Sequence, residues 1–214
     1  MDESLQFFLQ TFGPPCARRD VDEAHAAEYA GRLPAKLLEY WREQGFSGYA
    51  DGLFWVVDPA EYAGVLERWL SSTPFKGQDD YHVIARTAFG ALFVWGERSG
   101  AALQINPPHS LIFPNRAAGK LVREGRADLA LQVFFASRTR QTVDFPDDKG
   151  KPLFAKALKK LGPLREDEAY GFVPALGMGG KATLAGLQKV EILPHLEILA
   201  QITAPRILEN PLLR

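Results

Sequence analysis

Three runs of sequence decide the fold. They are Tyr81-His82-Val83-Ile84-Ala85-Arg86-Thr87, Gly90-Ala91-Leu92-Phe93-Val94-Trp95-Gly96 and Ala101-Ala102-Leu103-Gln104-Ile105. Each is rich in apolar, aromatic or β-branched residues. Only short polar or glycine-containing breaks part them, the last being the Ser99-Gly100 turn. Such runs predict an antiparallel meander. Gly52-Leu53-Phe54-Trp55-Val56-Val57 adds a strand upstream, and Gly77-Gln78-Asp79-Asp80 leads into the first run as a turn. The sheet is expected mostly between residues 50 and 115, with helices before and after it. That arrangement is an α+β fold: a mainly antiparallel sheet flanked by helices, with a smaller C-terminal helical or mixed subdomain packed on it.

The helices are read from their ends and apolar stripes. A short amphipathic helix is expected at the N-terminus, stopped at Gly13-Pro14-Pro15. Pro34 suits an early helical position, Leu37, Leu38 and Trp41 share one side of the following residues, and Gly45 suits the end. Asp58-Pro59-Ala60-Glu61 reads as a helix start, with Asp58 as cap and Glu61 where a capping-box partner would sit. Tyr62, Val65, Leu66, Trp69 and Leu70 then form a core-facing stripe. Further helices are predicted over 128–137, over 151–161 and from about Pro194. The four tryptophans all fall at apolar phases and read as core. Residues 138–151 are polar and turn-rich, so a soft division into 1–137 and 138–214 is expected, the two parts forming one compact unit.

Composition narrows the function classes. The 214 residues carry 25 basic and 26 acidic side chains, which argues against a general nucleic-acid binder. A single cysteine excludes an internal disulfide framework and fits a reducing, cytoplasmic setting. The N-terminus lacks the basic flank of a secretory signal, and no window is apolar enough to span a membrane.

Catalytic and metal patterns are missing. His25, His82, His109 and His195 share no ligand spacing, and zinc sites of the Cys-rich kinds need more than Cys16. Cys16 itself reads as a plain thiol near Arg18 and Arg19. Leu176-Gly177-Met178-Gly179-Gly180-Lys181 looks like a phosphate loop but has Ala175 and Ala182 where the pattern needs Gly and Ser or Thr. It reads instead as glycines serving tight turns and close backbone approach. No catalytic residue, cofactor site or metal site is assigned, and an enzyme is not expected.

Several strings, taken in order, carry a resemblance. They are Leu33-Pro34-Ala35-Lys36-Leu37-Leu38-Glu39-Tyr40-Trp41, Gly45-Phe46-Ser47-Gly48-Tyr49-Ala50-Asp51-Gly52-Leu53-Phe54-Trp55, Arg86-Thr87-Ala88-Phe89-Gly90, Leu161-Gly162-Pro163-Leu164, Tyr170-Gly171-Phe172-Val173-Pro174-Ala175-Leu176 with Gly179-Gly180, and His195-Leu196 before Ile198-Leu199-Ala200-Gln201. In this order the chain resembles bacterial proteins with an N-terminal GAD-like domain and a C-terminal immunity domain, which accompany DNase effectors of the type VI secretion system. The resemblance implies a non-catalytic immunity protein that binds a nuclease toxin made by the same cell and blocks its active site. Its recurring strings are helix ends, turn glycines and core aromatics, so it assigns no contact residues.

Contact residues are therefore sought by charge. A nuclease groove is basic, and acidic clusters on the inhibitor would steer association. The candidates are Asp79 and Asp80 in the turn, Asp147 and Asp148 in the linker, and Glu166, Asp167 and Glu168. The alternative is a DNA-binding autoregulator that uses Arg116, Lys120, Arg123 and Arg126 along a basic helix after the sheet.

Overall fold

The meander is present and extends beyond the three runs that predict it. The structure, a computed structural model, describes residues 2–115 and 117–209. In chain order its elements are α1 (Glu3–Phe12), β1 (Cys16–Arg19), α2 (Glu23–Ala27), α3 (Ala35–Gln44), β2 (Phe46–Tyr49), β3 (Phe54–Val56), α4 (Pro59–Leu70), β4 (Tyr81–Thr87), β5 (Leu92–Gly96), β6 (Gly100–Asn106) and β7 (Leu111–Pro114). There follow α5 (Gly119–Arg123), α6 (Ala127–Ala136), α7 (Arg140–Val143), α8 (Phe154–Leu161), β8 (Glu168–Phe172), β9 (Leu187–Glu191), α9 (Ile192–Ile202) and β10 (Arg206–Ile207). Among the described residues β1 to β7 form one sheet in sequence order, and β10 adds to its edge parallel to β7. β8 and β9 make a separate antiparallel pair.

The central strands do not alternate apolar and polar because both faces of the sheet are covered. Val83 to Thr87 and Leu92 to Trp95 are all buried. On one face Phe54 meets Phe8 of α1 at 5.5 Å and Phe93 at 5.8 Å, and Phe93 meets Phe134 of α6 at 5.5 Å. On the other, Trp55 lies under the Arg86 guanidinium at 4.7 Å, with Tyr62 of α4 beside it. Trp41, Trp55, Trp69 and Trp95 are all within the core. The C-terminal part joins the same core. The Trp69 indole donates to the Leu196 carbonyl at 3.2 Å, and the Tyr170 amide to the Ala88 carbonyl at 2.9 Å.

Several helix ends depart from the local reading because a distant side chain caps them. Pro34 lies just outside α3, and the carboxylate of Asp128 accepts from the Lys36 amide at 2.9 Å. Asp144 accepts from the amides of Leu153 and Phe154, so α8 begins at Phe154 rather than at Lys151. Asp58 caps α4 through the Ala60 amide as expected, but Glu61 turns away from the cap to pair with Arg19 at 2.8 Å. The proposed basic helix is a single five-residue turn, α5, that holds Lys120 and Arg123; Gly125 ends it and Arg126 caps α6. Arg116 lies outside the described residues.

Gly45 ends α3 at φ +71°, and a Cβ there would stand 2.3 Å from the carbonyl oxygen of Arg19 on β1. Gly45→Ala adds left-handed strain of about 1–2 kcal/mol to a backbone clash. It should lower unfolding stability by about 2–3 kcal/mol in urea denaturation, since β1 must shift away from β2.

Candidate partner-binding site

The seven carboxylates marked in the sequence divide by what their oxygens already hold. Asp79 accepts from the amides of Asp80 and Arg98 and from Ser99 Oγ, which ties the entry of β4 to the β5–β6 turn. Asp147 accepts from the amides of Lys149 and Lys151 and from Lys156 Nζ at 3.2 Å, and so shapes its own turn. Glu168 accepts from the Arg165 amide and from Lys189 Nζ on β9 at 3.1 Å. These three are engaged inside the fold. Asp80, Asp148, Glu166 and Asp167 are exposed.

Asp79 and Asp80 line a cleft of about 290 Å³ between the end of α4 and the start of β4, and Glu166 and Asp167 share another with two carboxylates outside the seven, Glu61 and Glu191. This second cleft, of about 470 Å³, is lined by Glu61 and Tyr62 from the first turn of α4, Glu166 and Asp167 from the turn before β8, and Glu191 and Ile192 at the β9–α9 junction. Its backbone is fixed at both acidic positions. Arg86, fully buried, donates through Nη2 to the Glu166 carbonyl at 2.6 Å, and the Ile192 amide donates to the Asp167 carbonyl at 2.9 Å. Nothing in local spacing marks Glu61 or Glu191: the first reads as a capping-box partner, and the second stands alone before the last helix.

Charge in the cleft is partly balanced. Arg19 bridges Glu61 at 2.8 Å and Glu166 at 3.3 Å, and Arg165 holds Asp167 with two hydrogen bonds. Four carboxylates against three guanidiniums, the third being Arg86 beneath the Glu166 turn, leave the cleft negative by about one charge. The Arg165 pair holds the Asp167 carboxyl below its usual range. Burial pushes Glu168 up, but hydrogen bonds from the Arg165 amide and Lys189 outweigh it and hold that carboxyl low as well. Among the described residues no three His, Cys, Asp or Glu side chains are placed to hold a metal ion, so the carboxylates present a spread surface charge. His109 stacks on Phe145 at 5.1 Å, and burial lowers the pKa of both His109 and His195. The glycine-rich 176–181 segment is a turn: Gly179 has φ +86°, and a Cβ on Gly180 would meet the Pro174 carbonyl oxygen at 2.0 Å.

The pKa directions predict the acid response. Asp2, Glu23, Asp147, Asp167 and Glu168 have folded pKa values below their unfolded ones. Their contributions are present above the ordinary carboxylate range and are lost as pH falls through the lowered values. Asp144, raised by burial, works in the opposite sense and favours the fold when protonated. Five carboxylates against one predict that urea midpoints fall as pH drops below about 4. A midpoint that holds steady or rises from pH 5 to pH 3 would contradict the assignment.

The cleft is assembled from two parts of the chain with separate relatives. Residues 3–109 match the GAD-like domain family. The chain belongs to the GAD-like family. Its GAD-like region supplies Glu61 and Tyr62. Residues 128–203 match the C-terminal region of T6SS immunity protein Tdi1, and this stretch supplies Glu166, Asp167, Glu191 and Ile192. The crystal structure of Atu4351 from Agrobacterium tumefaciens is similar over 100% of this GAD-like chain and 96% of its own, with a TM-score of 0.85 and 25% identity. No curated protein matches the chain. No described helix is long and apolar enough to cross a membrane.

Proposed function

We propose that this GAD-like protein is a type VI secretion immunity protein. It binds a nuclease toxin, a DNase, made by the same cell and occludes its active site in the cytoplasm without chemistry of its own. The observation that carries the proposal is the match of residues 128–203 to the C-terminal region of a type VI immunity protein, with that stretch forming most of the acidic cleft. A DNase must hold a polyanion in a basic groove. An acidic surface of fixed geometry competes for that groove and speeds encounter with it. Tight capture needs an interface of about 1,600 Å². The cleft is therefore read as the centre of a wider contact. The two units at 1–137 and 138–214 act together, because the cleft draws residues from both.

The test is to co-express the chain with the toxin encoded beside its gene. Survival of the host and co-purification of a stable complex are the expected results. A toxin that stays lethal beside folded, abundant protein would refute the reading.

A further inference from the structure

The edge of a sheet carries a row of unpaired N–H and C=O groups unless something covers or blunts it. Three of the four edges here are closed or blunted. The pairing of β1 is bulged, with Ala17 at φ +50°. β10 is two residues long. The outer side of β8 is taken: the Tyr170 amide donates to the Ala88 carbonyl at 2.9 Å and the Glu168 amide to the Arg165 carbonyl at 3.1 Å. The fourth edge is β9. It is five residues long, keeps an unbroken register with β8 and contains no proline.

The phase of the β8–β9 ladder fixes which groups β9 turns outward. The Ile192 amide donates to the Asp167 carbonyl and the Val173 amide to the Gly186 carbonyl, so these are hydrogen-bonded pairs. Such pairs alternate along an antiparallel ladder, which makes Tyr170–Lys189 and Glu168–Glu191 non-hydrogen-bonded pairs. The N–H and C=O of Lys189 and the N–H of Glu191 therefore point away from β8. No backbone partner among the described residues meets these three groups. Both residues are exposed. Nor does Lys189 guard the edge with its charge: its Nζ is drawn back to the Glu168 carboxylate and the Pro163 carbonyl, each at 3.1 Å.

We propose that β9 receives an extended segment of the toxin as an added antiparallel strand. This inference rests on the immunity reading above and names the backbone that would hold the partner. Continuity and charge select the occupant. Glu191 ends β9 and also lines the acidic cleft, so a chain docked in the cleft runs directly onto the open edge. The added segment carries Lys or Arg opposite Glu191, as a strand from the rim of a basic groove would. In strand addition the main-chain bonds supply affinity and alternate side chains set the register.

The test compares two substitutions at one residue, with the toxin encoded beside the gene as the probe. Lys189→Pro removes the outward N–H but no bond to β8, and proline is tolerated on an edge strand in that orientation. It should weaken toxin binding by at least about tenfold. Lys189→Ala keeps the N–H and loses only a surface ion pair, so it should bind within about threefold of wild type. Hydrogen exchange on the unmodified chain keeps the test open should Lys189→Pro fail to fold. The Lys189 and Glu191 amides should exchange freely in the free chain and at least about tenfold more slowly in the complex. A tight complex in which both amides still exchange freely, or equal losses in the Pro and Ala variants, would overturn the added strand and leave the immunity reading standing. Protection that appears in the free chain as its concentration rises would give the edge to a second copy and overturn it too. No complex with the wild-type chain would refute both.

Discussion

Arg86→Ala should lower unfolding stability by roughly 3–5 kcal/mol, which for a chain of this size shifts Tm by about 10 °C or more. Arg86 is fully buried in β4, opposite Trp55 in the ladder, with its guanidinium 4.7 Å from that ring. It donates to the carbonyls of Thr87 and Glu166, while its buried Nε has no hydrogen-bond partner among the described residues. Truncation opens a cavity beside a tryptophan and leaves the Thr87 and Glu166 carbonyls short of a donor. Burying a cation among neutral partners carries its own desolvation cost, so Arg86→Met separates the two effects. Methionine refills the space and removes the buried charge without restoring the hydrogen bonds. It should recover about half the lost stability. The Glu166 turn is released in both variants, so both should bind the toxin about tenfold more weakly even where Met is nearly as stable as wild type. Arg86→Ala with a wild-type urea midpoint would show that this side chain does not hold the two regions together.

The legible part of the fold was the part held by local chemistry. Tyr81–Thr87 is a strand from its first residue to its last as read, because Asp79 and Asp80 stop the preceding loop and the run is rich in aromatic and β-branched residues around Val83-Ile84-Ala85. Ala35–Gln44 is likewise bounded by Pro34 and Gly45. Among the strands with no counterpart in the sequence, two at the edges of the large sheet have no pattern of their own. Cys16–Arg19 is polar and half-exposed, and is a strand because β2 pairs with it. Arg206–Ile207 is too short to carry a period and is a strand because β7 offers an open edge. The candidate site divides in the same way. Acidic runs such as Glu166-Asp167-Glu168 stand out in the sequence. Which of those carboxylates remain free depends on partners far along the chain: Lys189 for Glu168, Arg19 for Glu166, the β5–β6 turn for Asp79. Glu61 and Glu191, isolated in sequence, join the cleft only through the packing of α4 against the β9–α9 junction.

Reversing the cleft charge with Glu166→Lys and Asp167→Lys together should slow association with the toxin by about a hundredfold at low salt. The fold should tolerate it. Both side chains are more than half exposed, at 51% and 58%, and their ion pairs with Arg19 and Arg165 are surface pairs of small net worth. Arg19 keeps Glu61, and Arg165 keeps a contact with Glu168 at 3.7 Å. The defect should shrink as salt is raised, because the Debye length falls from about 10 Å at 0.1 M to about 3 Å at 1 M. Whole-molecule charge is the competing explanation, since any such double reversal moves the formal net charge of −1 towards positive. Asp80→Lys with Asp148→Lys is the matched control: it makes the same change in net charge on two exposed carboxylates that the cleft does not contain. A cleft that docks the toxin predicts a large loss of association rate in the first double variant and a several-fold loss in the second, read by stopped-flow mixing at two salt concentrations. Equal losses would mean that the protein steers its partner by overall charge, and that the docking surface lies away from Glu166 and Asp167.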